Sequence, residues 1–130
     1  MIGLDTNVLV RYLVQDDAEQ SAAASALVDG LTDSEQGFLS VVTIIETVWV
    51  LRRAYGVSAE RCADLVAGLL DARELRVDRA PVVRAAVSAS LRGLDFADCV
   101  IAELGRLAGC DYTVTFDQRA ARGGVMRLLT

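Results

Sequence analysis

The chain has 130 residues, 18 acidic and 13 basic, and a net charge of −5. Its overall field therefore repels phosphate backbones, and any nucleic-acid contact has to be made by a local cluster of arginines or through a bound cation. At 53% hydrophobic with a mean hydropathy of +0.37, it excludes long disordered stretches, and its length sets one domain, residues 1–130, with its own core.

The first four residues read as a short buried strand, with no basic segment ahead of an apolar run and hence no signal peptide. Asp5-Thr6-Asn7 follow, and Thr6 or Asn7 can cap a helix starting near Val8. Residues 18–31 are alanine-rich and helical, with Gly30 as the stop. Residues 37–40 form a second strand, and residues 41–55 a helix closed by Gly56. The most apolar run, residues 38–51, is too short to span a membrane and carries Glu46. A cytoplasmic protein without membrane contact is expected.

Ser58 caps a further helix to about Leu70, residues 74–77 make a third strand, and residues 80–91 a helix with Pro81 in its permitted first turn. Residues 95–108 are helical up to Gly109. Residues 111–116, rich in β-branched and aromatic side chains, make the clearest strand. A short segment over 118–122 leads to a last strand over 124–129. Strands alternating with helices define an α/β fold with a central, mostly parallel sheet of about five short strands flanked by helices. Binding sites of such sheets lie outside the carboxyl ends of the strands.

Residue types missing from the chain restrict its chemistry. There is no histidine, and all 13 basic residues are arginine. This removes His general bases, Ser–His and Cys–His nucleophiles, His-ligated metals, Schiff bases and the lysine of a phosphate-binding loop. The three cysteines, Cys62, Cys99 and Cys110, are widely spaced without a C-x-x-C pair, so buried reduced thiols are expected rather than a zinc site. Carboxylates, hydroxyls and arginines remain.

Four carboxylates fit one site. Asp5 and Asp117 each follow a strand, Asp98 opens a helix, and Glu46 lies within the apolar helix 41–55, where a buried carboxylate without compensation is costly. Each has a structural alternative: Asp5 and Asp117 as helix caps, Asp98 as a first-turn acid favoured by the helix dipole, Glu46 in an ion pair with Arg52 or Arg53. Asp95 is well explained as an N-cap. Acids gathered in one pocket repel one another unless a divalent cation holds them, and carboxylate-held cations commonly act on phosphate.

The segments Ile2-Gly3-Leu4-Asp5-Thr6-Asn7-Val8-Leu9, Ile45-Glu46, Asp95-Phe96-Ala97-Asp98 and Val114-Thr115-Phe116-Asp117, in this order, resemble the PIN-domain family, and within it the VapC-type ribonuclease toxins of toxin–antitoxin pairs. The resemblance implies a Rossmann-like PIN fold and a Mg²⁺- or Mn²⁺-dependent endoribonuclease using one or two ions. It implies an RNA substrate, a homodimer and a cognate VapB-type antitoxin. Carried over by position, Asp5, Glu46, Asp98 and Asp117 are the catalytic and metal-binding quartet, supported by Thr6, Asn7, Thr115 and Asp95. Arg11, Arg119 and Arg122 lie near these segments and are candidates to hold the RNA backbone. The helices over 41–55 and 58–70 are candidates for antitoxin and dimer contacts.

Two other readings compete. A metal-dependent phosphatase of the haloacid-dehalogenase type also starts with an Asp after the first strand, but it expects a second Asp two residues later, where this chain has Asn7, and a lysine. A non-catalytic PIN-like module would use the same carboxylates only to bind metal or a basic partner.

Overall fold

Each short apolar run that ends in a polar residue becomes a strand handing the chain to a helix. The structure, a computed structural model, describes all of residues 1–130 and divides into two compact units, Met1–Ala80 and Pro81–Thr130.

In the first unit the order is β1 (Ile2–Gly3), α1 (Thr6–Val14), α2 (Ala18–Asp29), β2 (Gly37–Leu39), α3 (Val41–Arg53), α4 (Ala59–Asp71) and β3 (Leu75–Val77). The strands form one parallel sheet in the order β1-β2-β3, with Gly3 opposite Phe38 and Phe38 opposite Arg76. Parallel neighbours require a crossover, supplied here by helix pairs. α1 packs on α2 and α3, α3 on α4, and α4 on β3. Leu9, Leu39, Ile44, Leu51 and Val66 are at most 2% exposed and form the core, each worth roughly 1.5–3 kcal/mol of burial. Gly37 lies so close to the core that an added Cβ would stand 2.9 Å from Leu31 Cδ1 and 3.1 Å from Leu75 Cδ2.

Caps set the helix starts. Asp17, Ser40 and Ser58 accept the backbone N–H groups of Gln20, Thr43 and Arg61, satisfying donors that have no partner inside the helix. Gly56, at φ +63, lets the chain leave α3 through a left-handed turn that disfavours a side chain. Gly30 does end α2, but in a right-handed conformation at φ −83.

The second unit contains α5 (Ala80–Leu91, whose first residue belongs to the preceding unit), α6 (Phe96–Leu107), β4 (Val114–Thr115), α7 (Gln118–Arg122) and β5 (Arg127–Leu128). β4 and β5 pair in parallel, Val114 opposite Arg127 and Thr115 opposite Leu128. Val82, Val83, Ala86 and Val100 are the buried centre. Gly123 ends α7 against Leu94: a Cβ there would come to 2.5 Å from Leu94 Cδ2, so α7 is seated on the segment that leads into α6.

The expected α/β architecture and its five parallel-paired strands are present, as ladders of three and two strands. Several expectations change: the first strand, expected buried, is exposed at Ile2 and Gly3, and the last, expected over 124–129, is only Arg127–Leu128. The strand expected over 111–116 is only Val114–Thr115, flanked by the bonds Arg127 N–H to Thr113 O and Leu129 N–H to Thr115 O. A ladder is as long as its partner, and β5 offers two residues, so the propensity of 111–113 goes unused. The helix expected near Val8 starts at Thr6, because Asp5 in an extended conformation (φ −79, ψ 159) already takes the N-cap position. Of the cysteines, Cys62 and Cys99 are buried and Cys110 is exposed, all three free. No helix is long and apolar enough to cross a membrane.

One core position is suboptimal. Thr47 on α3 is 1% exposed, yet its hydroxyl has no hydrogen-bond partner. Leaving a buried hydroxyl unpaired costs roughly 1–3 kcal/mol. Thr47→Val, which keeps the branched shape, is expected to raise stability by about 1 kcal/mol in urea unfolding followed by circular dichroism; a drop of that size would mean the hydroxyl has a partner in solution.

Candidate active site

The carboxylates at the helix starts differ in what already holds them. Asp95, N-cap of α6, accepts the N–H of Asp98 at 2.9 Å. Asp117, N-cap of α7, accepts the N–H groups of Arg119 at 2.8 Å and Ala120 at 3.3 Å. Asp5 occupies the same position on α1, but its side chain makes no cap hydrogen bond. The capping explanation is thus filled at Asp95 and Asp117 and empty at Asp5, whose exposed carboxylate stands free at the carboxyl end of β1. The two residues after it separate: Thr6 is buried and Asn7 exposed. Asp78, directly after β3, lies at the same sheet edge as Asp5 by strand register. Nothing in its own segment marks it, and only the strand register places it at the edge of Asp5.

In the second unit Asp95, Asp98 and Asp117 lie within electrostatic reach of one another. Asp98 is half-buried, and burial, then the charges of Asp95 and Asp117, raise its pKa above the ordinary 3.8. The same field acts on the next residue: burial first, then Asp95 and Asp98, push the Cys99 thiol up. Thr115 supports the geometry, its Oγ1 accepting the Asp117 N–H at 2.9 Å. A hydrogen bond from strand to cap therefore fixes the backbone of 115–117.

Glu46 requires a correction. It is exposed on α3, not buried, so the cost of burying an acid does not single it out. Its proposed ion-pair partners are engaged elsewhere: Arg52 donates to Val57 O at 3.3 Å, and the Arg53 guanidinium lies 5.5 Å from the centre of the Trp49 ring. The arginines near the motif segments also divide. Arg11 donates to Tyr55 Oη at 3.0 Å and Gln20 Oε1 at 2.8 Å, and pairs with Asp16; the bond to Tyr55 is the main reason its pKa is raised. It is a strut of the first unit. Arg119 and Arg122, on α7, are exposed and take part in no ion pair.

Within neither unit do three or more His, Cys, Asp or Glu side chains gather closely enough to hold a metal ion. The donor set itself suits a hard divalent cation, being entirely carboxylate and hydroxyl oxygen. The like-charge pressure on Asp98 is the kind that a cation relieves. A cavity of about 550 Å³ in the second unit is bordered by Leu94 and Cys99, next in sequence to Asp95 and Asp98, and by Tyr112 and Arg127.

The PIN domain family model matches residues 2–125, and the chain belongs to that family, whose members are in general nuclease-type, RNA-directed and users of divalent metals. Among curated proteins no match was found.

The caps separate the carboxylates by stability. Asp95→Ala is expected to lower stability by about 1 kcal/mol, whereas Asp5→Asn changes it by less than about 0.5 kcal/mol in metal-free buffer, since only a screened helix-dipole contact is lost. For Asp98 the folded pKa is raised, so its protonated form favours folding at low pH, and that advantage is lost as pH rises through the folded value. Asp98→Asn is therefore expected to be at least as stable as wild type at pH 7, the difference closing below pH 3.8. Urea titrations of the three variants at both pH values check this; a destabilised Asp98→Asn at pH 7 would contradict it.

Proposed function

We propose that this protein is a metal-dependent endoribonuclease, the VapC-type toxin of a toxin–antitoxin pair, and that residues 1–130 act as a single PIN domain. The observation that carries the reading is the free carboxylate of Asp5 on a chain matched by the PIN model from residue 2 to 125. The family match runs through both units, which supports treating them as one functional domain. Asp5, Glu46, Asp98 and Asp117 are the residues proposed to hold one or two Mg²⁺ or Mn²⁺ ions. When bound, such a cation lowers the pKa of water and stabilises charge developing on phosphate oxygens.

The chain's own groups then have distinct duties. Asp5 and Asp98 supply carboxylates not consumed by caps. Asp117, already bonded to two backbone N–H groups, keeps one oxygen available and is suited to orienting water or an outer shell. Asp95 and Thr115 hold their neighbours in place through the bonds to Asp98 N–H and Asp117 N–H. Thr6 and Asn7 carry the chain from Asp5 into α1. Arg119 and Arg122, exposed and in no ion pair, are the arginines proposed to meet phosphates. On α3, the exposed Val42 and Trp49 lie on the same face as Glu46, an apolar surface for an antitoxin or a second copy of the chain. No histidine or lysine is needed, in keeping with their absence from the sequence.

The test is cleavage of RNA with Mg²⁺ or Mn²⁺, with EDTA, and with Asp5→Asn and Asp98→Asn. Altering outer-shell partners of a metal commonly costs 10- to 100-fold, so loss of a ligand is expected to cost at least about a hundredfold. Cleavage that persists in EDTA or in both variants would sink the mechanism. A folded wild type that cuts no RNA under any metal condition would leave the non-catalytic module as the better reading.

A further inference from the structure

The residue between Thr115 and Asp117 is Phe116, and at 78% exposure it is the most exposed large hydrophobic side chain of the protein. Single exposed apolar residues are common; what distinguishes Phe116 is its setting. Its backbone is fixed on both sides, by Leu129 N–H to Thr115 O ahead of it and by the Asp117 N–H to Thr115 Oγ1 bond and the Asp117 cap behind it. The helix that follows is held down through buried Ala120 and the contact of Gly123 with Leu94. A backbone held by these bonds thus presents a largely solvated ring one residue from Asp117. Arg119 and Arg122, also exposed and without ion pairs, follow on α7.

An aromatic face beside exposed arginines is the usual composition of a site that stacks an unpaired base and holds its phosphate. We propose that Phe116 is a base-stacking residue, which takes one unpaired nucleobase of the RNA next to the scissile phosphate. The inference rests on the nuclease reading above. A paired base has both faces covered by its neighbours and offers no face to the ring, so duplex RNA gains nothing from Phe116.

The full-length Asp98→Asn protein, which binds without cutting, is titrated with a short unstructured oligoribonucleotide and with the same strand annealed to its complement, by fluorescence anisotropy. Adding Phe116→Ala is expected to weaken binding of the single strand roughly tenfold to a hundredfold and leave the duplex unchanged. Phe116→Trp should retain the affinity and Phe116→Leu should not, which separates stacking from simple apolar contact. Thermal unfolding of each variant should stay close to its parent, because most of the ring is already in water. Equal losses for single strand and duplex, full affinity in Phe116→Leu, or no loss in Phe116→Ala would each overturn the inference. With Asp98 restored, a wild type and a Phe116→Ala protein that cut RNA equally would overturn it while sparing the nuclease reading. A wild type that cuts no RNA would instead bring down the nuclease reading itself.

Discussion

Parallel pairing is the constraint on which this protein depends. A strand that must pair in parallel cannot turn straight back; it has to leave the sheet, cross over and return. In the first sheet β1 and β2 each hand the chain to a helix at the same edge, β4 does so in the second unit, and the residue at each of these handovers becomes an N-cap. In the first unit that residue is Asp5 after β1 and Ser40 after β2; in the second it is Asp117 after β4. The pattern of acids along the sequence follows from this arrangement. Polar caps are required wherever a helix begins, and where the cap is an aspartate the same position can serve the fold or a cation.

What decides between those uses is the hydrogen-bond inventory of each carboxylate. Asp95 bonds to Asp98 N–H and spends its charge on α6. Asp117 bonds to two amides and retains part of its acceptor capacity, since an ionised carboxylate has about four lone-pair sites. Asp5 bonds to none. Asp98 holds no cap position and feels both Asp95 and Asp117. This orders the four from those held by the fold to those left free by it, and the order comes from bonds present in the fold rather than from residue type. A helix that starts on an unused aspartate forgoes about 1 kcal/mol of capping, a modest cost of the kind functional sites commonly carry.

Much of this was legible in the chain. Helix starts marked by Ser58 and Asp95 and the alternation of elements were readable because capping and periodicity are local. The resemblance of the Asp5, Asp98 and Asp117 segments reached the family that the match over residues 2–125 establishes. What escaped depended on partners. The strand at 111–116 shrank to Val114–Thr115 because β5 offers only two residues, a fact about residues 127–128 that no propensity of 111–116 contains. Glu46 looked buried because its sequence neighbours are apolar. On a helix, however, neighbours in sequence point to different faces: Ile44, Thr47 and Val48 go inward while Val42, Glu46 and Trp49 go outward. Arg11 looked available because it lies near Asp5, whereas its guanidinium is fixed by Tyr55, 44 residues away.

The charge of the chain takes on a different meaning once these positions are known. A net charge of −5 is unfavourable for binding RNA only if the charge is spread evenly. Two of the arginines, Arg119 and Arg122, stand exposed on the one helix that begins at Asp117, while Arg106 is tied to Glu103 at 3.0 Å and Arg11 to Asp16 and Tyr55. Surface pairs of this kind contribute little to stability, but they neutralise cations that would otherwise attract phosphate elsewhere. Arg61, Arg76, Arg79 and Arg92 are exposed as well, so a phosphate backbone meets exposed cations at several places on the surface. On a chain of net negative charge, the exposed arginines outside ion pairs, Arg119 and Arg122 among them, mark the places where the field opposes a phosphate least.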